Sequence, residues 1–200
     1  MRKAVLLLLP AALLAQQPNA LLDTLTGQLK NTPLLRLDFT QTRTLSALSR
    51  PLKSNGSMVL SRDRGVIWQL KKPLALTYVV SPKGLVEWDS AGRRSQKSAK
   101  DVPAVAQMGR IFQSLLQGRW NAVEEYFTLT AEGRPGKWEI TMTPKAQTAS
   151  FMKRIQVSGS RYIDRIRVEE ASGDRMDLAF EHHLAGESLT EAETRLFAFE

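Results

Sequence analysis

The sequence predicts an α+β domain built on a curved antiparallel sheet. Three observations lead there. Short runs with period-two alternation recur along the chain with turn residues between them; helical periodicity is confined to one or two segments; and no repeat, low-complexity tract or Pro/Gly-rich linker divides the 200 residues. A chain of this length buries a sizeable core as one unit.

The elements follow in order. Arg2 and Lys3 precede an apolar run from Ala4 to Leu14, and Leu13-Leu14-Ala15 has the small residue of a cleavage site, so residues 1–15 read as an export signal and 16–200 as a single domain. The apolar run is broken by Pro10 and falls short of the roughly 20 residues that span a bilayer. Asn19 caps a helix with Leu21, Leu22, Leu25 and Leu29 at helical spacing, and Asn31-Thr32-Pro33 ends it.

Leu35, Leu37 and Phe39 alternate with Arg36, Asp38 and Thr40, and Gln41 to Thr44 continue the strand. After Pro51 and a turn at Ser54-Asn55-Gly56, Met58 to Arg62 reads as the antiparallel return, and Val66 to Trp68 resumes beyond Asp63-Arg64-Gly65. Leu74 to Ser81 and Gly84 to Trp88 give two more strands around Ser81-Pro82-Lys83-Gly84. The polar segment Ser90 to Lys100 reads as an exposed loop. Pro103 to Gln117 reads as a helix, with Val105, Met108, Ile111, Phe112, Leu115 and Leu116 on one stripe and Gly118 as its stop. Tyr126 to Thr130 and Trp138 to Met142 flank the hairpin signal Glu132 to Gly136. Strands follow at Met152 to Val157, Tyr162 to Glu169, Met176 to His182 and, last, Arg195 to Phe199, with a turn at Ser172-Gly173-Asp174.

Composition excludes several functions. The chain has no cysteine, hence no disulfide, thiolate metal site or lipid-modified N-terminal cysteine. Its net charge of +8 is dispersed among acidic residues, with no stripe suited to nucleic acid, so an anionic membrane or lipid headgroup is the fitting counterpart beside simple solvation. His182 and His183 are the only histidines, and neighbours on a strand point to opposite faces. Glu124-Glu125 and Glu169-Glu170 read as solvated pairs. No nucleophile elbow, phosphate loop or dinucleotide fingerprint occurs. The reading is therefore a non-enzyme with no catalytic residue, no metal and no cofactor.

Ligand binding asks only for an apolar concavity and a few polar groups that control access. Phe39, Met58, Leu60, Trp68, Phe127, Trp138 and Phe180 lie on strand patterns that can line such a concavity. Met108, Ile111, Phe112 and Leu115 form the apolar stripe of a helix that can cover it. Arg62, on an otherwise apolar strand, needs acceptors, and carbonyls at a helix C-terminus are available ones.

Phe39-Thr40-Gln41-Thr42, then Gly56, Arg62 and Trp68 at successive six-residue steps, resemble the opening signature of the periplasmic lipoprotein carrier family LolA. Leu45, Leu48, Pro51, Leu52, Ser54 and Gly56 also resemble a LolA-like subgroup found with machinery for other envelope lipids. The resemblance implies an incomplete antiparallel β-barrel, a strongly curved sheet whose apolar cavity holds acyl chains under a lid of short helices. It makes the residue matching Arg62 a latch that holds the lid by hydrogen bonds to helix backbone. It implies a monomeric periplasmic carrier that shields the acyl chains of a lipoprotein or other envelope lipid between an inner-membrane donor and an outer-membrane acceptor, or a lipid-sensing regulatory module on the same fold. The chain departs from the family at Asp63, where proline is usual, at Val66, where an aromatic is usual, and in ending at Glu200 directly after its last predicted strand.

Overall fold

The computed structural model describes residues 18–101, 113–114 and 119–198. Helix α1 (Pro18–Lys30) leads into eleven strands: β1 (Leu34–Thr44), β2 (Leu52–Ser61), β3 (Gly65–Lys72), β4 (Leu76–Ser81), β5 (Gly84–Trp88), β6 (Arg94–Ser98), β7 (Phe127–Arg134), β8 (Lys137–Pro144), β9 (Met152–Gly159), β10 (Ile163–Glu170) and β11 (Arg175–Gly186). Helix α2 (Trp120–Glu124) precedes β7, α3 (Ala146–Ala149) joins β8 to β9, and α4 (Glu191–Leu196) follows β11.

All eleven strands form one sheet in the order β6-β5-β4-β3-β2-β1-β11-β10-β9-β8-β7. Neighbours are antiparallel, and each joins its chain neighbour except at the centre, where β1 pairs with β11 from Leu34 opposite Gly186 to Thr44 opposite Arg175. That pairing brings the two halves of the chain together. The sheet is not closed: β6 and β7 are its edges.

Strand alternation divides the apolar residues between two faces. Leu35, Leu37, Phe39, Met58, Leu60 and Val66 join residues of β7 to β11 and Leu21, Leu22 and Leu25 of α1 in one core. The intervening Leu34, Val59 and Ile67, with Val79 and Val86, form a second core on the opposite face, capped by Phe197 just after α4. Two-sided burial explains why β2 and β3 read as nearly continuous apolar runs.

Several boundaries differ from those expected. Ser54-Asn55-Gly56 is not a turn but part of β2, with Gly56 opposite Phe39. The glycine is needed there because the pairing with β3 shifts register between Asn55 and Gly56, and a Cβ on Gly56 would lie 1.8 Å from the Gln69 carbonyl oxygen. Arg62 opens the β2–β3 turn and is not a strand residue. Leu74 and Ala75 precede β4 and do not belong to it. The expected loop from Ser90 to Lys100 contains β6, an exposed polar strand that pairs with β5 through Arg94 to Ser98; an edge strand with no buried face carries no alternation to read. The Glu132–Gly136 turn shrinks to Pro135-Gly136, with Gly136 at φ 89°.

The predicted last strand, Arg195 to Phe199, is instead α4 as far as Leu196. Its cause is local: the Thr190 hydroxyl accepts from the Glu193 backbone N–H, and the Thr190 N–H donates to the Glu193 carboxylate, a capping box that nucleates a helix. Glu169 and Glu170 are half-buried and not simply solvated, pairing with Arg154 at 2.8 Å and Arg43 at 3.6 Å.

Candidate functional site: the inner face of strands β3 to β5

Of the side chains expected to line an apolar cavity, six are closed core. Phe39, Met58, Leu60, Phe127, Trp138 and Phe180 are buried against one another and their neighbours. Trp138 is fixed further: its indole N–H donates to the Ser160 carbonyl at 2.8 Å, and its ring lies where a Cβ on Gly159 would be. Only Trp68 remains half-buried, its ring edge-on to Phe39 at 5.2 Å and 75°. Met108, Ile111, Phe112 and Leu115 lie outside the described residues, as does most of the helix predicted over Pro103 to Gln117; its Gln113 and Ser114 are described and are helical.

Trp68 belongs to a wider apolar surface that the register assembles. Residues opposite one another on neighbouring strands share a face. Met58, Trp68, Tyr78 and Glu87 form one cross-strand row, Leu60, Val66, Val80 and Leu85 a second, and Gly56, Leu70 and Leu76 a third. Burial falls along each row away from the centre: Met58, Leu60 and Val66 are buried, whereas Trp68, Leu70, Leu76, Tyr78, Val80 and Leu85 are half-exposed. Desolvation, and then the Glu87 carboxylate opposite, raise the Tyr78 hydroxyl above its ordinary 10.0, so it stays a neutral donor at any physiological pH.

Sequence reading recognised β4 and β5 but missed this surface, because periodicity does not say which strands run past the edge of the core. The usable signal was the alternation Leu76-Tyr78-Val80, which repeats that of Val66-Trp68-Leu70.

The turn bearing Arg62 borders the surface. Arg62 is half-buried, with Nη2 enclosed. Its backbone N–H donates to the Pro33 carbonyl at 3.0 Å, which ties the turn to the start of β1. Its carbonyl accepts from the Gln113 side-chain amide at 3.0 Å, and the Ser61 carbonyl lies 3.5 Å from the same nitrogen. This contact between helix and turn runs from a helix side chain to the turn's backbone, the reverse of the direction expected for a latch. The sequence gives no warning of Gln113, one polar residue beside an apolar stripe.

The histidines do separate: His182 Nδ1 lies 3.1 Å from Asp38 Oδ2, while His183 Nε2 lies 2.9 Å from the Ile163 carbonyl and its ring stacks on Tyr162. Among the described residues no group of three or more His, Asp or Glu is placed to hold a metal ion. A cleft of mixed lining is bordered by Phe39, Thr40 and Gly56 together with Asp38, Asn55, Lys71, Glu181 and His182. Among the described residues no helix is long and apolar enough to cross a membrane.

The profile described as outer membrane lipoprotein carrier protein LolA-like matches residues 15–193, most of the chain. The chain belongs to the LolA-like family. As a LolA-like carrier protein it is not an enzyme. Among solved structures it is similar to a LolA superfamily protein from Nitrosomonas europaea, with 8% identity over 92% of this chain and 99% of that one and a TM-score of 0.47. It is similar to a chain of the Pseudomonas aeruginosa MucA/MucB complex, with 8% identity over 92% of this chain and 61% of that one and a TM-score of 0.46. It is also similar to the Mycobacterium tuberculosis lipoprotein LppX, with 11% identity over 82% and 95% of the two chains and a TM-score of 0.42. No curated protein matches the chain.

Proposed function

We propose that this LolA-like protein is a periplasmic carrier that shields the acyl chains of a lipoprotein or other envelope lipid in transit to the outer membrane. The observation that carries this reading is the half-exposed inner face of β3 to β5, where Trp68, Leu70, Leu76, Tyr78, Val80 and Leu85 form one apolar surface continuous with the core. Such a surface suits a flexible hydrocarbon guest, which exchanges water for apolar contact at about 25 cal/mol per Å². In this reading the sheet is the wall of an incomplete barrel, and the helix predicted over Pro103 to Gln117, with Met108, Ile111, Phe112 and Leu115 inward, is its lid. Arg62 and Gln113 then stand where lid and wall meet, with Arg62 as the latch. The cargo is handed from an inner-membrane donor to an outer-membrane acceptor by a monomer.

The test is mass spectrometry of lipid co-purifying with the protein from the periplasm, together with displacement of an apolar fluorescent probe by a diacyl lipid or lipopeptide. Saturable, competed binding supports the carrier; folded protein without it refutes this reading.

A further inference from the structure

Leu48, Leu52, Leu74 and Phe151 are 46%, 51%, 63% and 51% exposed, although large apolar side chains ordinarily lose such exposure on folding. They are distant in sequence but gather at one end of the sheet. Leu48 and Leu52 lie in or beside the β1–β2 connection, Leu74 in the β3–β4 connection and Phe151 just before β9. Antiparallel alternation brings these connections to the same end, and hydrogen bonds join two of them through the β10–β11 turn. The Ser46 N–H and hydroxyl donate to Asp174 Oδ1 at 2.8 and 2.9 Å, and the Ala171 N–H donates to the Phe151 carbonyl at 3.2 Å.

The segments that bear them carry basic charge alone. Segments 43–53, 71–76 and 145–154 contain no Asp or Glu but carry the exposed Arg50, Lys53, Lys72 and Lys153. The carboxylates of the neighbouring turn are engaged: Glu169 with Arg154, Glu170 with Arg43, and Asp174 with Ser46. The exposed Glu124 and Glu125, whose carbonyls accept from the Lys145 and Gln147 side chains, flank the third segment, but the exposed cations beside the four apolar side chains outnumber them. An apolar end with a basic excess matches an anionic bilayer surface, where the side chains enter the headgroup region and the cations remain among phosphates.

The geometry points to this end of the sheet as a docking surface for an anionic phospholipid membrane. It is distinct from the inner face, and docking does not depend on that face holding acyl chains. The two adjoin, however: Leu70 opposite Leu76 is the last rung before the connection bearing Leu74, so a docked protein presents its apolar face at the bilayer.

The experiment is co-flotation of the protein, as processed by the cell, with vesicles of phosphatidylethanolamine and phosphatidylglycerol, and separately with phosphatidylcholine vesicles. Binding is expected to the anionic vesicles and to weaken with salt. Replacing Leu48, Leu52, Leu74 and Phe151 together by serine should reduce it at least about tenfold, an effect within reach of interfacial insertion of four apolar side chains. Leu184→Ser, at the opposite end of β11 and 62% exposed, should leave it unchanged. Unchanged circular dichroism and probe affinity in the fourfold variant would separate this surface from the inner face. The proposal is overturned if the parent ignores anionic vesicles, which would leave the end to an acidic protein partner. It is equally overturned if the fourfold variant binds like the parent, or if only charge reversal abolishes binding, which would mean adsorption without insertion.

Discussion

Arg36 and Glu193, 157 residues apart, form a two-point ion pair in which Arg36 Nε and Nη2 donate to the Glu193 carboxylate at 2.7 and 2.6 Å. The same arginine donates to the Ser188 carbonyl at 3.2 Å, and the same carboxylate accepts from the Thr190 N–H at 2.7 Å. One carboxylate thus caps α4 and fastens it to β1 over the second core. Both side chains are largely shielded, 27% and 15% exposed, so water screens the pair less than an ordinary surface bridge.

Glu193→Gln should lower stability by about 2 kcal/mol, the scale of a lost charge-assisted hydrogen bond. Hydrogen bonds from Arg36, then those from Thr190, hold the Glu193 carboxyl below its ordinary 4.5. A carboxyl whose folded value is depressed stabilises fully above its unfolded value and loses that contribution as pH falls through the folded one. Thermal melts across this range should therefore show parent and variant converging at acidic pH; a gap independent of pH would assign the loss to packing.

The inner face predicts a division between stability and binding. Phe39→Ala, in the closed core, should cost about 3–5 kcal/mol. Tyr78→Ser, on the half-exposed rows, should cost roughly 1 kcal/mol yet weaken an apolar probe about tenfold. Denaturant midpoints and probe titrations on the same samples decide; full probe affinity in Tyr78→Ser would move the binding surface elsewhere.

Arg62→Leu keeps apolar bulk and removes the guanidinium. If Arg62 holds the lid closed, the open, loaded state gains, and cargo should be retained more tightly by about 2 kcal/mol, roughly thirtyfold, while uptake persists. Gln113→Leu removes one neutral donor and should shift retention in the same direction by only about fivefold. Transfer from loaded protein to acceptor vesicles measures both, and parental release rates in Arg62→Leu would eliminate the latch.

The proposed export requires a processed N-terminus. Protein recovered from the periplasm should begin at Gln16, with cleavage after Ala15; N-terminal sequencing that finds Met1 on exported, soluble protein would refute the signal assignment.

The strands with one buried side were legible because alternation is a local property: β5 from Gly84 to Trp88, the start of β9 at Met152 and the inward face shared by Phe39, Met58 and Phe180 were all readable before any neighbour was known, although these three were read as cavity wall and not as closed core. The family signature was legible too, since it rests on residue identity and spacing. β6 was not, because an edge strand exposed on both sides has no alternation to betray it. Helix α4 was written in the sequence, in Thr190 and Glu193, but Leu196 and Phe197 also fitted a short strand, and the bond from Arg36 settles where the helix lies.

What the sequence determined by itself was therefore the type of protein: an α+β chain, thiol-free, with strand-borne apolar residues and the LolA-like signature. Tertiary structure alone decided which of those residues are filled core and which remain partly open. Burial depends on what the neighbouring strand places on the same face. Trp68 is half-open because it stands beside Tyr78 toward the thinning side of the sheet, while Met58, one strand away in the same row, is sealed.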